Sequence, residues 1–310
     1  MNGLSIVVPV YNSAGVLPQL VARLTAVLDP LAAEYEVLLV NDGSADESWD
    51  RIVEASRGHA RVRGLNLMRN YGQHNALLAG IRSARHDTVV TLDDDLQNPP
   101  EEIPKLLAKL DEGYDVVYGS ASERQFGLWR NLATSVTKLA LRGAIGSDIA
   151  SKVSAYRAFR THLREAFADF QGPYVSVDVL LSWGTTRFAA VPVAHDRRAE
   201  GKSSYGFTRL ATHALNVLTG FSTRPLRIAS LVGLVVTLFG VGVLVLVLTR
   251  YFVEGATVPG FAFLASVLAI FSGAQLLTLG IIGEYLARMH VRIMDRPAYA
   301  VREEVGTGRE

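Results

Sequence analysis

Two stretches of this chain, Ile228 to Thr249 and Phe261 to Gly283, contain no charged side chain. Each slightly exceeds the about 20 residues that a helix needs to cross a hydrocarbon core of roughly 30 Å. A pair of buried helices in a soluble core is the alternative, but uninterrupted apolar character on every face disfavours it. Two spanning helices are therefore expected. Arg209, Arg224 and Arg227 precede the first stretch, Arg288, Arg292 and Arg296 follow the second, and the connection between them carries one basic residue, Arg250, and one acidic residue, Glu254. This excess of basic flanks predicts that both ends of the chain lie in the cytosol. Phe207 to Thr223 mixes Leu210, Leu215, Val217, Leu218 and Phe221 with Arg209 and His213, the pattern of a helix lying in the headgroup region or of an ordinary domain helix. The expected division is a catalytic domain over 1–204, interfacial helices over 205–227, a two-helix membrane domain over 228–286 and a cytosolic tail over 287–310. No basic leader followed by a long apolar run and a cleavage site opens the chain, so no secretory signal is expected.

The residues ahead of the apolar stretches alternate two periodicities. Leu4 to Val8, Glu36 to Val40, Val62 to Leu67, Thr88 to Leu92 and Val116 to Tyr118 are short β-branched runs expected as strands. Val16 to Leu28, Glu47 to Ala55, Gln73 to Ala84 and Glu101 to Glu112 carry apolar residues at helical spacing, the last behind Pro99 and Pro100. Strands alternating with crossover helices predict an α/β fold with a mostly parallel, Rossmann-like sheet covered on both faces. Ligands of such sheets sit beyond the carboxyl ends of the strands, and the polar clusters Tyr11-Asn12, Asn41 to Ser44 and Asp93 to Gln97 fall there. A net charge of +1 offers no global field for nucleic acid, and the absence of cysteine excludes a disulfide framework, a thiolate metal site and a thiol nucleophile.

Asp93, Asp94 and Asp95 would repel one another at a strand end unless a cation or strong donors were near. Asp93, Asp95 and the side-chain oxygen of Gln97 alternate, so an extended segment would turn all three to one side as hard ligands for Mg2+ or Mn2+. Asp94 would then face elsewhere. An acidic loop capping the helix that opens at Glu101 is the competing reading. Asp42, with Gly43 allowing a tight turn, could accept hydrogen bonds from a base or ribose, or could simply belong to that turn.

Val7-Val8-Pro9-Val10-Tyr11-Asn12, Asn41-Asp42-Gly43-Ser44 and Asp93 to Gln97 resemble the three signature segments of family 2 GT-A glycosyltransferases. Arg69 to His74, Asp95 to Pro104 and Asp111 to Val117 narrow the resemblance to the polyprenyl-phosphate glycosyltransferases. These include the undecaprenyl-phosphate 4-deoxy-4-formamido-L-arabinose transferases, the GtrB-like glucosyltransferases and the dolichol-phosphate mannose synthases. Thr223 to Arg227, Gly273 to Gln275 and Gly283 to Tyr285 extend it through both apolar stretches.

The resemblance implies a GT-A nucleotide-diphospho-sugar transferase domain followed by interfacial and transmembrane helices. It further implies an inverting transfer from a nucleotide-sugar, UDP-linked foremost, to polyprenyl phosphate, at the inner (plasma) membrane. Pro9, Tyr11, Asn12 and Asp42 would line the nucleotide pocket, and Asp93, Asp95 and Gln97 would hold the metal on the diphosphate. Asp94 replaces a small residue common in the family and adds charge beside the donor, while Ser151 to Arg157 departs from a Gly-Asp-Phe-Arg-like segment. Membrane lipids are expected partners, nucleic acid is not, and a homo-oligomer is left open. An ionised phosphate acceptor needs no general base; a hydroxyl acceptor would need one of the Asp residues in that role. Arg197, Arg198 and Lys202, in a segment with Gly201, are candidates to stabilise the leaving diphosphate, and Arg124 and Arg130 candidates for the lipid phosphate. Each taken alone could equally be a basic surface residue, and His74 is expected to be structural. A processive synthase would carry a Gln-x-x-Arg-Trp motif and more spans, and intact Asp93, Asp95 and Gln97 count against a non-catalytic membrane scaffold.

Overall fold

A computed structural model of the chain describes residues 3–121, 153–172, 175–196, 224–254, 260–294 and 296–306. It divides into two compact units, Met1–Ala214 with Asp295–Glu310, and Leu215–Met294.

The first unit is built on an eight-stranded sheet in the order β7-β5-β6-β4-β1-β2-β3-β8. Strands β1 (Leu4–Val10), β2 (Tyr35–Asn41), β3 (Val62–Leu67) and β4 (Thr88–Thr91) run parallel, in the order β4-β1-β2-β3. Helices α1 (Leu17–Leu31), α2 (Ser48–Gly58) and α3 (Gln73–Ser83) make the crossovers, and α4 (Ile103–Asp111) leads to β5 (Val116–Ala121). All these elements match the expected ones to within a few residues, because each strand is buried on both faces and must be a continuous apolar run. Leu20, Leu24 and Leu28 of α1 are buried beside Ile6, Val8 and Val37 of the sheet. Gly80 brings α3 against the sheet: a β-carbon there would lie 2.3 Å from Val7 Cγ1.

Pro9 has no N–H to donate, which is ordinarily excluded from a central strand. The ladder from β1 to β4 ends at Val7↔Thr91, and Val10 rather than Pro9 accepts from the β2 side, through Asp42 N at 2.9 Å. The missing donor therefore faces the side where pairing has already stopped.

Four further elements lie beyond the sequence expectation: β6 (Arg157–Arg160), α5 (Val177–Gly184), β7 (Phe188–Val193) and β8 (Val301–Val305). β6 inserts antiparallel between β4 and β5, and β8 adds antiparallel to β3. The last of these falls within the expected tail over 287–310. The first residues of that tail continue the second apolar helix to Ile293, and Val301–Val305 is an edge strand of the eight-stranded sheet. The physical reason is electrostatic. Arg63, buried within β3, needs carboxylates, and it finds Glu36 on β2 and Glu304 on β8, the latter at 2.5 Å. Burial pushes the Glu36 carboxyl up, but the Ser5 hydroxyl, Arg63 and the Arg85 N–H more than offset it and hold it below the usual range. Stability from Glu36 is thus present above its unfolded pKa and is lost as pH falls through the lowered folded one.

The second unit contains α6 (Arg224–Glu254, 31 residues) and α7 (Phe261–Ile293, 33 residues), each roughly 45–50 Å long at 1.5 Å per residue. They pack on each other where Gly240 admits the Phe271 ring, which a β-carbon would meet at 2.3 Å. Their apolar side chains point outward: Leu231 is 61 %, Leu238 62 % and Leu276 68 % exposed. That is the reverse of a soluble core helix, and both helices are long and apolar enough to cross a membrane.

Candidate functional site

The loop after β1 is held on both flanks. Asn12 takes a left-handed conformation (φ 53°), its N–H donates to Ser44 Oγ at 3.0 Å, and its side-chain oxygen accepts from Ala45 N at 2.8 Å. Ser13 N donates to Ser48 Oγ and Ala14 N to Asp46 Oδ2, at 2.9 and 3.1 Å. On the opposite side Asp94 Oδ2 accepts from Tyr11 N at 3.1 Å and Ser13 Oγ at 2.6 Å. Asn12, expected to line the nucleotide pocket, thus spends its side-chain oxygen on the next loop, while the Tyr11 ring is left 50 % exposed. Asp94 is a staple for the Tyr11–Ser13 backbone. Burial pushes its carboxyl up against the two hydrogen bonds, and neighbouring Asp95 adds to the rise.

Asp42, at the end of β2, is buried and accepts from Tyr71 N at 2.7 Å through one oxygen and from Gly72 N at 2.8 Å through the other. Desolvation raises its carboxyl above the usual range despite those two donors. The adjoining Gly43 (φ +63°) has no room for a side chain, because a β-carbon would sit 2.4 Å from Asn70 N. Asp42 and Gly43 therefore clamp the Arg69–Gly72 segment, where the Arg69 guanidinium lies 4.5 Å from the Tyr71 ring centroid. Gly43→Ala combines a disfavoured left-handed backbone with a clash against main chain, and should lower activity by roughly a hundredfold or more. Steady-state rates on protein that keeps its detergent-solubilised Tm check this.

The carboxylate segment is not extended, which corrects the expected alternation. Leu96 is in the left-handed region (φ 58°) with its side chain in the core, and Asp95 Oδ1 accepts from Gln97 N at 3.1 Å, so the chain turns sharply between Asp95 and Gln97. The Asp95 carboxylate, by accepting the Gln97 N–H, closes this turn, which carries the Leu96 side chain into the core. Strained backbone of this kind clusters at functional sites, and the two described non-glycine residues with positive φ, Asn12 and Leu96, both lie here. Gln73, first in α3, donates from Nε2 to Asp93 Oδ1 at 2.6 Å, a bond of the sort that orients a metal-ligating carboxylate. Among the described residues no three His, Asp or Glu side chains converge into a closed cage. Asp93 and Asp95 on one turn fit instead a hard divalent cation that completes its shell with phosphate oxygens or water. His74, next to Gln73, accepts the Val177 N–H at Nδ1 at 3.4 Å.

The same turn receives the chain that leads away from β7. Asp196 N donates to Gln97 O at 2.9 Å, and Arg23 bridges Glu101, at 2.6 Å, and Asp196, at 3.8 Å. Arg197, Arg198 and Lys202, and likewise Arg124 and Arg130, lie outside the described residues.

Sequence reasoning missed a buried group behind the turn. Arg157 on β6 is 1 % exposed, pairs with Asp178 of α5 and donates from Nε to Thr91 Oγ1 at 3.1 Å, two residues before Asp93. Tyr118 OH completes it, donating to Asp178 at 3.1 Å, with burial and the Asp178 charge holding the phenol well above its usual range. The available signal was an arginine in a short apolar run.

Solved structures share this architecture. A crystal structure of glucosyl-3-phosphoglycerate synthase from Mycobacterium tuberculosis in complex with Mn2+ and UDP-glucose aligns over 70 % of this chain and 77 % of its own, with TM-score 0.52 and 20 % identity. The same enzyme with Mn2+, UDP and phosphoglyceric acid aligns over 70 % and 76 %, with TM-score 0.52 and 18 % identity. A further mycobacterial protein aligns over 70 % and 73 %, with TM-score 0.54 and 19 % identity. These likenesses establish the GT-A fold. The glycosyl transferase family 2 model matches residues 5–166, which take in β1, the Asp42–Gly43 clamp and the carboxylate turn, and the chain belongs to that family.

Proposed function

We propose that this family 2 enzyme transfers a sugar from a nucleotide-sugar, foremost a UDP-sugar, to polyprenyl phosphate, with inversion, at the cytosolic face of the inner (plasma) membrane. The carrying observation is covalent: a glycosyltransferase domain is continuous with two helices of membrane-crossing length whose apolar side chains point outward. Anchoring of this kind keeps the site beside acceptors that a membrane holds. A second observation agrees with an acceptor that arrives ionised. The buried carboxylates around the site are committed, Asp42 to two backbone N–H groups, Asp94 to Tyr11 and Ser13, and Asp178 to Arg157 and Tyr118. An anionic phosphate needs no proton removed before it attacks the anomeric carbon.

In this reading the half-exposed Tyr11 ring offers a face to the base, and Pro9, Asn12 and Asp42 shape the nucleotide pocket, the last two by fixing the loops around it. Asp93, Asp95 and Gln97 would hold Mg2+ or Mn2+. A divalent cation bound there offsets charge on the diphosphate. The segment beginning at Arg197 continues from Asp196, which is tied to the carboxylate turn, so Arg197, Arg198 and Lys202 are assigned to the leaving diphosphate; Arg124 and Arg130 are assigned to the lipid phosphate on their basic chemistry and the family resemblance alone. UDP-glucose and Mn2+ in the structurally similar synthase support the donor and metal classes.

The test is transfer by membranes carrying the protein. Label from a UDP-sugar panel should enter the organic-extractable lipid only when undecaprenyl phosphate is supplied, and chelation should stop it. Label appearing in phosphoglycerate or another soluble hydroxyl acceptor, with none in lipid, would overturn the acceptor assignment.

A further inference from the structure

The strand that follows the apolar helices reaches the candidate donor site through buried amides. Glu303 of β8 accepts, at Oε1, from Asn66 Nδ2 of β3 at 3.1 Å; Asn66 Oδ1 accepts from Asn41 Nδ2 of β2 at 2.8 Å; and Asn41 Oδ1 accepts from Ser44 N at 3.3 Å. Ser44 Oγ in turn accepts the N–H of Asn12, the strained residue after β1. Asn41 and Asn66 are 3 % and 5 % exposed, so water does not readily substitute for a lost partner.

The chain of bonds has a sense imposed from both ends. A carboxylate accepts and never donates, while the Ser44 backbone N–H only donates. Two amides joined between them satisfy every contact in one orientation alone, each presenting its NH2 toward Glu303 and its oxygen toward Ser44. Reversing either amide sets donor against donor. We propose that Glu303 is a positioning residue for the donor loops, so that β8, which follows α7 in the chain, sets the Asn12–Ser44 geometry in addition to covering the edge of β3. This rests on the reading of those loops as the nucleotide pocket.

The polarity argument makes a ranked expectation that plain edge-covering does not. Glu303→Gln retains an accepting oxygen and should behave as the parent. Glu303→Ala leaves the Asn66 NH2 buried without its acceptor. Glu303→Lys replaces an acceptor with a donor and should force both amides over, opposing Asn41 NH2 to Ser44 N. Adding Asn66→Asp to Glu303→Lys restores the sense, because the introduced carboxylate can accept from the new ammonium and from Asn41 together.

Hydrogen exchange read by mass spectrometry on the full-length protein in detergent tests the coupling without reference to activity. Exchange over 11–14 and 41–46 should rise roughly tenfold in Glu303→Lys, rise less in Glu303→Ala, and return in the Glu303→Lys/Asn66→Asp pair, with β1 and β4 unchanged. Calorimetric titration with UDP and Mg2+ then reads the consequence, a roughly tenfold weaker Kd in Glu303→Lys with recovery in the pair, while kcat changes little. Unchanged exchange over 11–14 and 41–46 in Glu303→Lys overturns the coupling. Should β8 itself lose protection in that variant, failure of Asn66→Asp to restore 41–46 does so instead. Transmission of exchange without any UDP binding would leave the coupling standing and remove the donor reading.

Discussion

Asp95→Asn should lower sugar transfer by roughly a hundred- to thousandfold while the protein keeps its Tm in detergent, since it removes a charged ligand from the group that offsets charge on the leaving diphosphate. Its neighbour supplies the contrast. Asp94 is buried against Tyr11 N and Ser13 Oγ, and its carboxyl is already pushed up by burial and by Asp95. An amide oxygen at position 94 can accept both hydrogen bonds, so Asp94→Asn should leave transfer within about threefold. The sign of its effect on stability follows from the raised pKa. Stability linked to the Asp94 carboxyl is present below its unfolded pKa and is lost as pH rises through the folded one, so removing the charge should stabilise slightly at neutral pH. Rates at saturating Mg2+, and the Mg2+ dependence of each variant, separate the two. Equal loss in both would mean that the turn acts through its net charge and not through Asp95 as a ligand.

The contrast between these adjacent aspartates also marks how far residue patterns carried. β1 to β5 and α1 to α4 followed from periodicity because a sheet covered on both faces demands unbroken apolar runs, and Val62–Leu67 shows that demand tolerating Arg63 and Asn66. Those two polar residues inside a strand were themselves a signal: each requires a buried partner, and the partners, Glu304 and Glu303, sit in a segment so charged that it resembles a solvated tail. β6 was hidden for a related reason, since Arg157–Arg160 is four residues long with an arginine at each end. In the candidate site, the place of Asp93 and Asp95 just beyond the end of β4 was readable but the geometry of their segment was not. Alternation along an extended segment is a local expectation, whereas the chain turns at Leu96, whose left-handed backbone accompanies a side chain buried in the core.

The buried pair behind the turn should give the largest loss of stability. Arg157→Leu leaves the Asp178 carboxylate in the interior with Tyr118 OH as its described remaining donor, and breaking such a pair commonly costs about 3–5 kcal/mol. For a domain of this size that corresponds to a Tm lower by roughly 6–20 °C. Replacing both members by apolar residues removes the uncompensated charge, so Arg157→Leu/Asp178→Leu should recover most of the loss. The double variant also discriminates between acceptors. Thr91, held by Arg157 Nε, lies two residues before Asp93, so the single variant should lose activity with its fold whatever the mechanism. If the acceptor is a phosphate that arrives ionised, Asp178 has no proton to take, and the refolded double variant should regain transfer to within about tenfold. A double variant that is stable yet inactive would overturn this expectation and leave two roles to separate, Asp178 as the base for a hydroxyl acceptor and Arg157 as the group that holds Thr91 beside the carboxylate turn.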